Sequence, residues 1–436
     1  MSCFRGAILA FIAALAVGLN QSPCIGAEPA EPVHSTAKSL CFKGAGRFSL
    51  CLDGFADAAY RNFQYEDENS NGAGDPAKDR FDVRKATLGA SANVGDRISL
   101  RIEADFQGTG SRRLLDGYGE FAAFDWLKIR MGQMKEPFGL EENTKDRDLY
   151  FAERAMLHYL TPQRDVGLLV HGSLFADRLL YGVGAFNGDG QDDATGGNVD
   201  EPEVCARAVL EWGENSEKAP FRRFHLGGSA SFSRIDRNNV DIHIYTAGRT
   251  AFFDVASNSK FNIILDGESK LRQGLEAGAA LGPVILWAEY VHAAYNDLST
   301  SSAEFDINLK GYSLAASWII SGGRPGFYKG SLTPVSPENS VVNGGLGAFG
   351  LALRYDVISA NNEVYNDLFE KGISVKEARA ASIALNWYLD RHARFMLDIT
   401  RTNFDEPLLV SRDSMTGLSF YSDTEDVLTG LFQVKF

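Results

Sequence analysis

The sequence predicts an all-β protein whose antiparallel strands close into a barrel that spans a membrane. Three observations support this fold class: strict two-residue alternation, connections of two unequal lengths, and a strand that runs to the last residue. The alternation is clearest from Arg97 to Gln107. There Ile98, Leu100, Ile102, Ala104 and Phe106 form one face, and Arg97, Ser99, Arg101, Glu103, Asp105 and Gln107 form the other. This period indicates a β-strand with two different faces, and by itself it also fits a soluble β-sandwich.

Two further segments, 126–133 and 382–390, alternate in the same way, and the connections between such segments are either short or long. Asn93–Asp96 is a short turn, whereas segments 65–80, 187–203 and 355–378 are long and polar. A barrel of the outer-membrane type has short turns at one end and long loops at the other. The lengths therefore favour that architecture.

The C-terminal segment separates the membrane barrel from the soluble sandwich. Its last residues place Leu428, Gly430, Phe432, Val434 and Phe436 on one face, so the chain ends inside a strand on an aromatic residue. A soluble domain usually ends in a polar, frayed tail. One charged face and one apolar face suit water inside and lipid outside, and closure satisfies every backbone polar group in hydrocarbon. We therefore expect a transmembrane barrel.

The N-terminal residues predict export from the cytoplasm. Residues 1–27 contain an apolar run, 7–19, followed by small residues, as in a cleavable signal peptide. We expect an N-terminal periplasmic segment at 28–45 and the barrel at 46–436. Lipid anchoring at Cys24 is the weaker alternative, because the residues before it do not form the small-residue pattern. Beyond the signal, no apolar run approaches the roughly 18 to 20 residues of a membrane-spanning helix, which argues against a helical membrane protein.

Charge and cysteine content narrow the function. The formal net charge is −14, with 57 acidic and 43 basic side chains, which argues against a nucleic-acid-binding surface. Three cysteines remain after the signal: Cys41, Cys51 and Cys205. This odd number excludes a complete disulfide framework, although Cys41 and Cys51 can pair in an oxidising compartment.

Taken together and in order, several segments resemble the phosphate-selective porin family, the O and P type porins of bacterial outer membranes. The matching segments are "FDVRKATLGASANVGDRISLRIEADFQ" (81–107), "RMGQMKEPFGLEENT" (130–144), "FAERAM" (151–156), "GPVILWAEY" (282–290), "KGYSLAASW" (310–318), "SPEN" (336–339), "GAFGLALRYD" (347–356) and "ALNWYLD" (384–390). No single segment is diagnostic, and the resemblance lies in the ordered set from about residue 54 to 436.

The resemblance implies a barrel of about 16 strands, usually a homotrimer, with one loop folded into the pore. That constriction loop corresponds to residues 136–156. Its aromatic residues within a charged run favour packing against a wall over a solvated loop. The implied function is a passive, water-filled channel in outer-membrane lipid for small hydrophilic solutes or inorganic ions. No catalytic residues, metal or cofactor are expected.

The resemblance also carries over candidate pore residues. A partly dehydrated anion needs basic donors in place of its water. The pore and anion-binding candidates are Arg84, Lys85, Arg101, Asp116 and Arg394, and the constriction-loop candidates are Lys135, Glu141, Glu142, Lys145, Arg147 and Arg154. Alternation places Arg394 on a lumen face. Arg84 and Lys85 are adjacent, so both can face the pore only if their strand bulges or ends there. The alternative for each is an ordinary solvated lumen charge.

The sequence departs from the phosphate-selective pattern in two places. Glu142 replaces a lysine, and the arginine ladder is poorly kept at 241–249. From Lys135 to Arg154 the loop has four basic and six acidic residues, and a ring of carboxylates favours cations. Anion preference is therefore expected only if the basic residues, and not Glu142, lie at the narrowest point. A non-specific or cation-preferring porin remains the alternative.

Two weaker alternatives stay open. The Asp-rich segment 187–193 offers oxygen ligands for Ca²⁺, but it lacks the spaced glutamate of an EF-hand loop. An outer-membrane barrel enzyme, or a sugar-binding barrel without an open pore, is the competing function class. No Ser/His/Asp order stands out among the seven histidines, so the channel is preferred.

Overall fold

The computed structural model describes residues 40–44, 47–65, 79–108, 113–188, 190, 202–213, 223–235, 242–255, 267–299, 304–361, 374–412 and 419–436. One antiparallel sheet of 17 strands contains most of them. Its strands are β1 (Leu40–Lys43), β2 (Phe48–Tyr65), β3 (Arg80–Val94), β4 (Ile98–Asp105), β5 (Leu114–Phe124), β6 (Leu127–Lys135), β7 (Arg164–Leu174), β8 (Leu179–Phe186), β9 (Glu203–Trp212), β10 (Arg223–Arg234), β13 (Ser269–Leu281), β14 (Val284–Ser299), β15 (Glu304–Ser321), β18 (Ala348–Ala360), β19 (Glu377–Tyr388), β20 (Ala393–Arg412) and β21 (Ser419–Lys435). Two small hairpins lie outside it: β11 (His243–Tyr245) with β12 (Ala251–Asp254), and β16 (Phe327–Tyr328) with β17 (Ser331–Leu332).

Strands β2 to β10, β13 to β15 and β18 to β21 form a closed barrel of 16 strands, because β2 pairs with both β3 and β21. The alternating segments of the sequence are strands β4, β6 and β19, so the predicted fold class is confirmed. Among the described residues, no helix is both long and apolar enough to cross a membrane.

The two faces of the strands differ as the alternation predicts. On β4 the apolar side chains of Ile98, Leu100 and Ile102 are exposed on the outer face. On β20, Phe395 is exposed, whereas Arg394 and Asp398 point inward and are buried. The inward residues are covered because three connections fold into the lumen.

The two chain ends meet on the lower part of β2. The backbones of Gly54 and Phe436 exchange two hydrogen bonds, of 3.3 and 3.0 Å, which end the β2–β21 pairing. Below that point β1 pairs with β2, and the disulfide between Cys41 and Cys51 joins them. The expected N-terminal segment 28–45 thus ends in a strand of the sheet. The predicted signal peptide, 1–27, lies outside the described residues.

Two of the inserted connections come from the long-loop end. The constriction loop, here residues 136–163, joins β6 to β7, and the upper loop, residues 235–268, joins β10 to β13. Within the described part of the upper loop, Phe252 and Phe253 are buried in the same apolar cluster as Met156 and Leu157 of the constriction loop. The two loops therefore pack on each other inside the barrel.

The third inserted connection was not predicted. Residues 322–347, here called the lower segment, join β15 to β18 at the end where the other described connections are short turns. The segment begins at Gly322 (φ 71°) and ends at Gly347 (φ 74°), in a backbone region that favours glycine. At Gly347 a Cβ atom would lie 2.2 Å from the Tyr388 carbonyl oxygen, so only glycine fits this close return to the wall.

Candidate functional site

The constriction loop is folded against the barrel wall through its apolar residues. Phe138, Leu140, Tyr150 and Phe151 are buried, and the Tyr150 ring lies 5.6 Å from that of Trp287 on β14. The expectation that this aromatic run packs against a wall is therefore met. A single helical turn, α1 (Leu140–Asn143), follows Gly139 (φ 67°), and 3-10 turns follow at Asp146–Asp148 and Met156–Leu160.

Wall side chains bind the loop backbone directly. Glu289 accepts hydrogen bonds from the backbone N–H of Leu140 (2.6 Å) and of Glu141 (3.0 Å), the first donors of α1. Arg394 donates to the carbonyl oxygen of Leu149 at 2.6 Å. Further bonds join Asp398 to the N–H of Ala152 (2.9 Å), Asn386 to the carbonyl of Tyr150 (3.0 Å) and Arg354 to the carbonyl of Glu153 (2.9 Å). These bonds hold the loop in one position across the lumen.

Glu142 does not lie at the constriction, contrary to the sequence-based expectation. Its side chain is buried at the base of the loop, with Lys135 at 3.7 Å and His158 Nδ1 at 2.5 Å. Burial opposes ionisation of the Glu142 carboxyl, but Lys135, His158 and Arg154 outweigh it and lower its pKa below the usual range. Glu142 is therefore a charged structural residue whose field is neutralised inside the protein.

Four of the other loop carboxylates are paired as well, which the loop sequence alone does not show, and Glu136 is buried. Glu141 lies 3.5 Å from Arg354, Asp146 contacts Lys85 and Arg154, Asp148 lies 3.0 Å from Lys435, and Glu153 lies 2.7 Å from Arg61 and 3.0 Å from Arg84. Despite burial, the pKa values of Asp146 and Glu153 are lowered by these basic partners. The acidic excess of the loop therefore forms no ring of free carboxylates.

Arg84 and Lys85 both reach the lumen because β3 bulges at this point. Val83 pairs with Ala58 and Lys85 pairs with Asp57, so Arg84 is the extra residue of the bulge. Arg84 lies 3.3 Å from Asp57 and 3.0 Å from Glu153, while Lys85 contacts Asp146. The pair thus lies under the constriction loop, where protein carboxylates satisfy it.

The remaining wall candidates are distributed around the barrel. Arg101 contacts Asp53, which also lies 2.8 Å from Arg147 of the loop. Asp116 lies 3.0 Å from Arg164. Arg394 is on another part of the wall, under the loop backbone at Leu149. The structure therefore joins Arg101 to Arg147, but it does not gather Arg101, Asp116 and Arg394 into one site.

The upper loop occupies the region where the arginine ladder was expected. Within 241–249, the described residues form β11 and a turn, and Arg249 lies 3.6 Å from Glu153. Arg61, Arg84 and Arg249 thus surround one carboxylate. In the described part of this segment, Arg249 therefore belongs to an ion-pair cluster around Glu153 and not to a row of arginines that face the pore.

A cavity of about 480 Å³, here called the passage, lies between the constriction loop and the wall formed by β5 to β9. Its charged lining comprises Lys128, Arg130, Lys135, Lys145, Arg147, Arg164, Arg207 and Lys329, against Glu103, Asp116, Glu120, Asp125 and Asp146. Lys145 is the exposed residue of the loop at this point, and Glu142 is not part of the lining. Within the described part of the chain, Lys128 and Lys145 make no ion pair. The passage therefore has a basic excess.

Sequence reasoning missed several of these lining residues. Arg207 alternates with the outward apolar residues of β9, so the same period-2 analysis could have found it. Arg164 has the same parity as the outward-facing Val166 and Leu168 on β7, so that analysis would have placed it on the outer face. Lys329 belongs to the lower segment, and no pattern in the sequence indicates that this segment enters the lumen. Most of the Asp-rich segment 187–193 lies outside the described residues.

Comparisons with known proteins agree with this architecture. A relative from Caulobacter vibrioides, described as an uncharacterized protein, is 26% identical over 334 residues, 73% of this chain and 62% of its own length. The chain thus spans less than two thirds of that relative.

Solved structures show the same fold at low identity. The anion-selective porin from Comamonas acidovorans is 12% identical with a TM-score of 0.51, covering 89% of this chain and 100% of its own. The outer membrane channel DcaP of Acinetobacter baumannii is 12% identical with a TM-score of 0.53, covering 91% and 99%. OmpT, an outer membrane protein of Vibrio cholerae, is 10% identical with a TM-score of 0.52, covering 92% and 100%.

The family model described as phosphate-selective porin O and P matches residues 58–434, which is almost the whole barrel. The closed antiparallel barrel of 16 strands agrees with this match. The chain is therefore an outer-membrane β-barrel that belongs to the phosphate-selective porin O and P family.

Proposed function

We propose that this porin is a passive, water-filled channel for small hydrophilic solutes, with a weak preference for small anions. The observation that carries the proposal is the basic excess along the passage, where Lys128 and Lys145 have no carboxylate partner within the described part of the chain. Basic rings favour anions because they offset the water that an ion loses in a narrow pore.

The expected preference is weak because most lining charges belong to ion pairs. A unit charge about 4 Å from an ion contributes on the order of 4 kcal/mol at an effective dielectric constant near 20. Arg130 already lies 2.6 Å from Glu120, and Arg164 lies 3.0 Å from Asp116, so much of their field is cancelled. The lysines without a partner, Lys128 and Lys145, contribute the remaining bias.

Tight phosphate binding is not expected at the bulge of β3. Arg61 and Arg84 already bind Glu153, and Lys85 binds Asp146. A phosphate dianion would have to displace these carboxylates, which are buried and ionised. We therefore propose that phosphate passes as one small anion among others.

The selectivity proposal is tested by measuring reversal potentials in planar bilayers, with KCl at different concentrations in the two chambers. The wild-type reversal potential should have the sign that indicates chloride preference. Lys145→Gln should shift the reversal potential towards the equilibrium potential of potassium. Lys310→Gln is the matched control, because Lys310 is exposed on the outer face of β15. A wild-type pore that prefers potassium, or a Lys145→Gln pore identical to wild type, would overturn the proposal.

We also propose that the protein assembles as a homotrimer. The family resemblance supports this, and the Vibrio cholerae OmpT neighbour was solved in a trimer form. The expected outcome is a trimer mass in mild detergent and a heat-sensitive trimer band on gels. A monomer mass under the same conditions would contradict the proposal.

A further inference from the structure

The lower segment carries a hairpin that crosses the lumen beneath the constriction loop. Strands β16 and β17 are joined by Lys329 (φ 49°) and Gly330 (φ 76°), a two-residue turn with both residues in the left-handed region. The hairpin starts between β15 and β18, and its tip ends against β9, four strands from β15 around the barrel.

The base of the hairpin contacts the underside of the constriction loop. The backbone N–H of Leu332 donates to Thr144 Oγ1 at 3.0 Å, and Ser331 Oγ donates to the Asn143 carbonyl at 3.2 Å. Tyr150 Oη donates to the Thr333 carbonyl at 3.1 Å. The hairpin therefore supports the loop from the periplasmic side.

The tip of the hairpin is fixed to β9. The backbone N–H of Gly330 donates to Glu211 at 2.7 Å, and Arg207 donates to the Gly330 carbonyl at 2.8 Å. Phe327 is buried with its ring 5.1 Å from that of His225. It fits there because residue 278 is glycine: a Cβ at Gly278 would lie 2.4 Å from Phe327 Cζ.

Lys329 is the charged residue that the tip presents to the passage. Its side chain is 46% exposed and lines the same open volume as Lys145, with Asp177 of the β7–β8 turn at 3.7 Å. Ion pairs as exposed as this one contribute little binding energy. Arg207 lines the passage next to the tip. The tip therefore adds a second basic point to the lining of the passage.

We propose that the hairpin Phe327–Leu332 is a second selectivity element below the constriction loop, with Lys329 as its specificity-determining residue. The inference rests on the proposed anion-preferring channel. The hairpin narrows the periplasmic half of the passage, and Lys329 raises the local concentration of anions there.

The charge of the tip is tested with Lys329→Asn, because asparagine tolerates the left-handed backbone of this position. Reversal potentials in a KCl gradient should shift towards the potassium potential, in the same direction as for Lys145→Gln. The control is Lys310→Asn, because Lys310 is exposed on the outer face of β15. Variants are used only when they keep the heat-modifiable gel shift of the folded barrel.

The narrowing is tested with Gly278→Ala, which displaces Phe327 from its position on the wall. Gly228→Ala is the matched control, because the nearest atom to its added Cβ would be 3.7 Å away. Gly278→Ala should increase single-channel conductance, and Gly228→Ala should not.

The outcomes separate this inference from the proposed function. If wild type shows no anion preference but Lys329→Asn still shifts the potential, the proposed anion preference is wrong and the hairpin inference stands. If Lys145→Gln shifts the potential while Lys329→Asn and Gly278→Ala both match wild type, the hairpin inference is overturned.

Discussion

Glu142 shows that the charge of a residue in a loop sequence does not give the charge that a solute meets. A substitution of glutamate for lysine at this position suggested a cation-favouring constriction. In the folded loop α1 turns Leu140, Glu141 and Glu142 towards the protein, and His158 and Lys135 lie 2.5 and 3.7 Å from the Glu142 carboxylate. These partners are brought together by tertiary folding, so the sequence position alone could not show the pairing.

This pairing predicts a pH-dependent contribution of Glu142 to stability. Its folded pKa is lowered, so the contribution is fully present above the unfolded carboxyl pKa and is lost as pH falls through the folded pKa. Glu142→Gln should therefore unfold more readily than wild type at pH 7, and the difference should disappear in strong acid. The difference in stability is measured by thermal unfolding at several pH values, with the heat-modifiable gel shift as the readout. An equal difference at every pH would show that the carboxylate charge is not responsible.

Two-residue alternation correctly predicted which side chains face the lumen wherever the strand is regular. Arg394 and Arg101 lie on the lumen face as their period-2 positions require. For Arg84 and Lys85 the same rule predicted that both side chains can face the lumen only if the strand bulges. The structure contains that bulge. Which of these residues line the open passage depends on contacts between distant strands, and periodicity carries no information about those.

At the scale of elements, the constriction loop is held by a few wall side chains and by the lower segment. Glu289 satisfies the two backbone N–H groups that begin α1, a task that an N-terminal cap residue usually performs. Gly139 at that position has no side chain to do so. Glu289 is 149 residues away from Leu140 in the sequence, so the residues around Leu140 contain no capping signal.

Removal of this anchor should loosen the loop. A buried N–H group left without an acceptor costs about 1 to 3 kcal/mol, and Glu289→Ala leaves two such groups. Single-channel recordings of Glu289→Ala should show larger current fluctuations than wild type. Glu289→Gln, which keeps one acceptor oxygen, should be intermediate. Recordings of Glu289→Ala as quiet as those of wild type would argue against Glu289 as an anchor of the loop.

At the scale of the whole molecule, the barrel follows from the sequence and the filling of its lumen does not. Two-residue alternation is a direct consequence of the pleated strand, so the wall can be read from local pattern. The upper loop and the lower segment enter the lumen through contacts with distant strands, and their residues show no regular period. The resemblance identified the constriction loop, but it gave no indication of the lower segment.

Carboxylates of the constriction loop serve as internal counter-ions for the basic wall, and we infer that solutes follow the passage along β5 to β9. Arg61 is fully buried and shares Glu153 with Arg84. Replacement of Glu153 by glutamine should therefore leave Arg61 and Arg84 with weaker carboxylate pairing, to Asp82 at 3.8 Å and to Asp57 at 3.3 Å, and so favour an external anion beside them.

The most direct test is block of the single-channel chloride current by phosphate, in wild type and in Glu153→Gln. We expect millimolar phosphate to leave the wild-type current almost unchanged and to block the Glu153→Gln current at lower concentration. Tight phosphate block of wild type that Glu153→Gln does not strengthen would contradict the account.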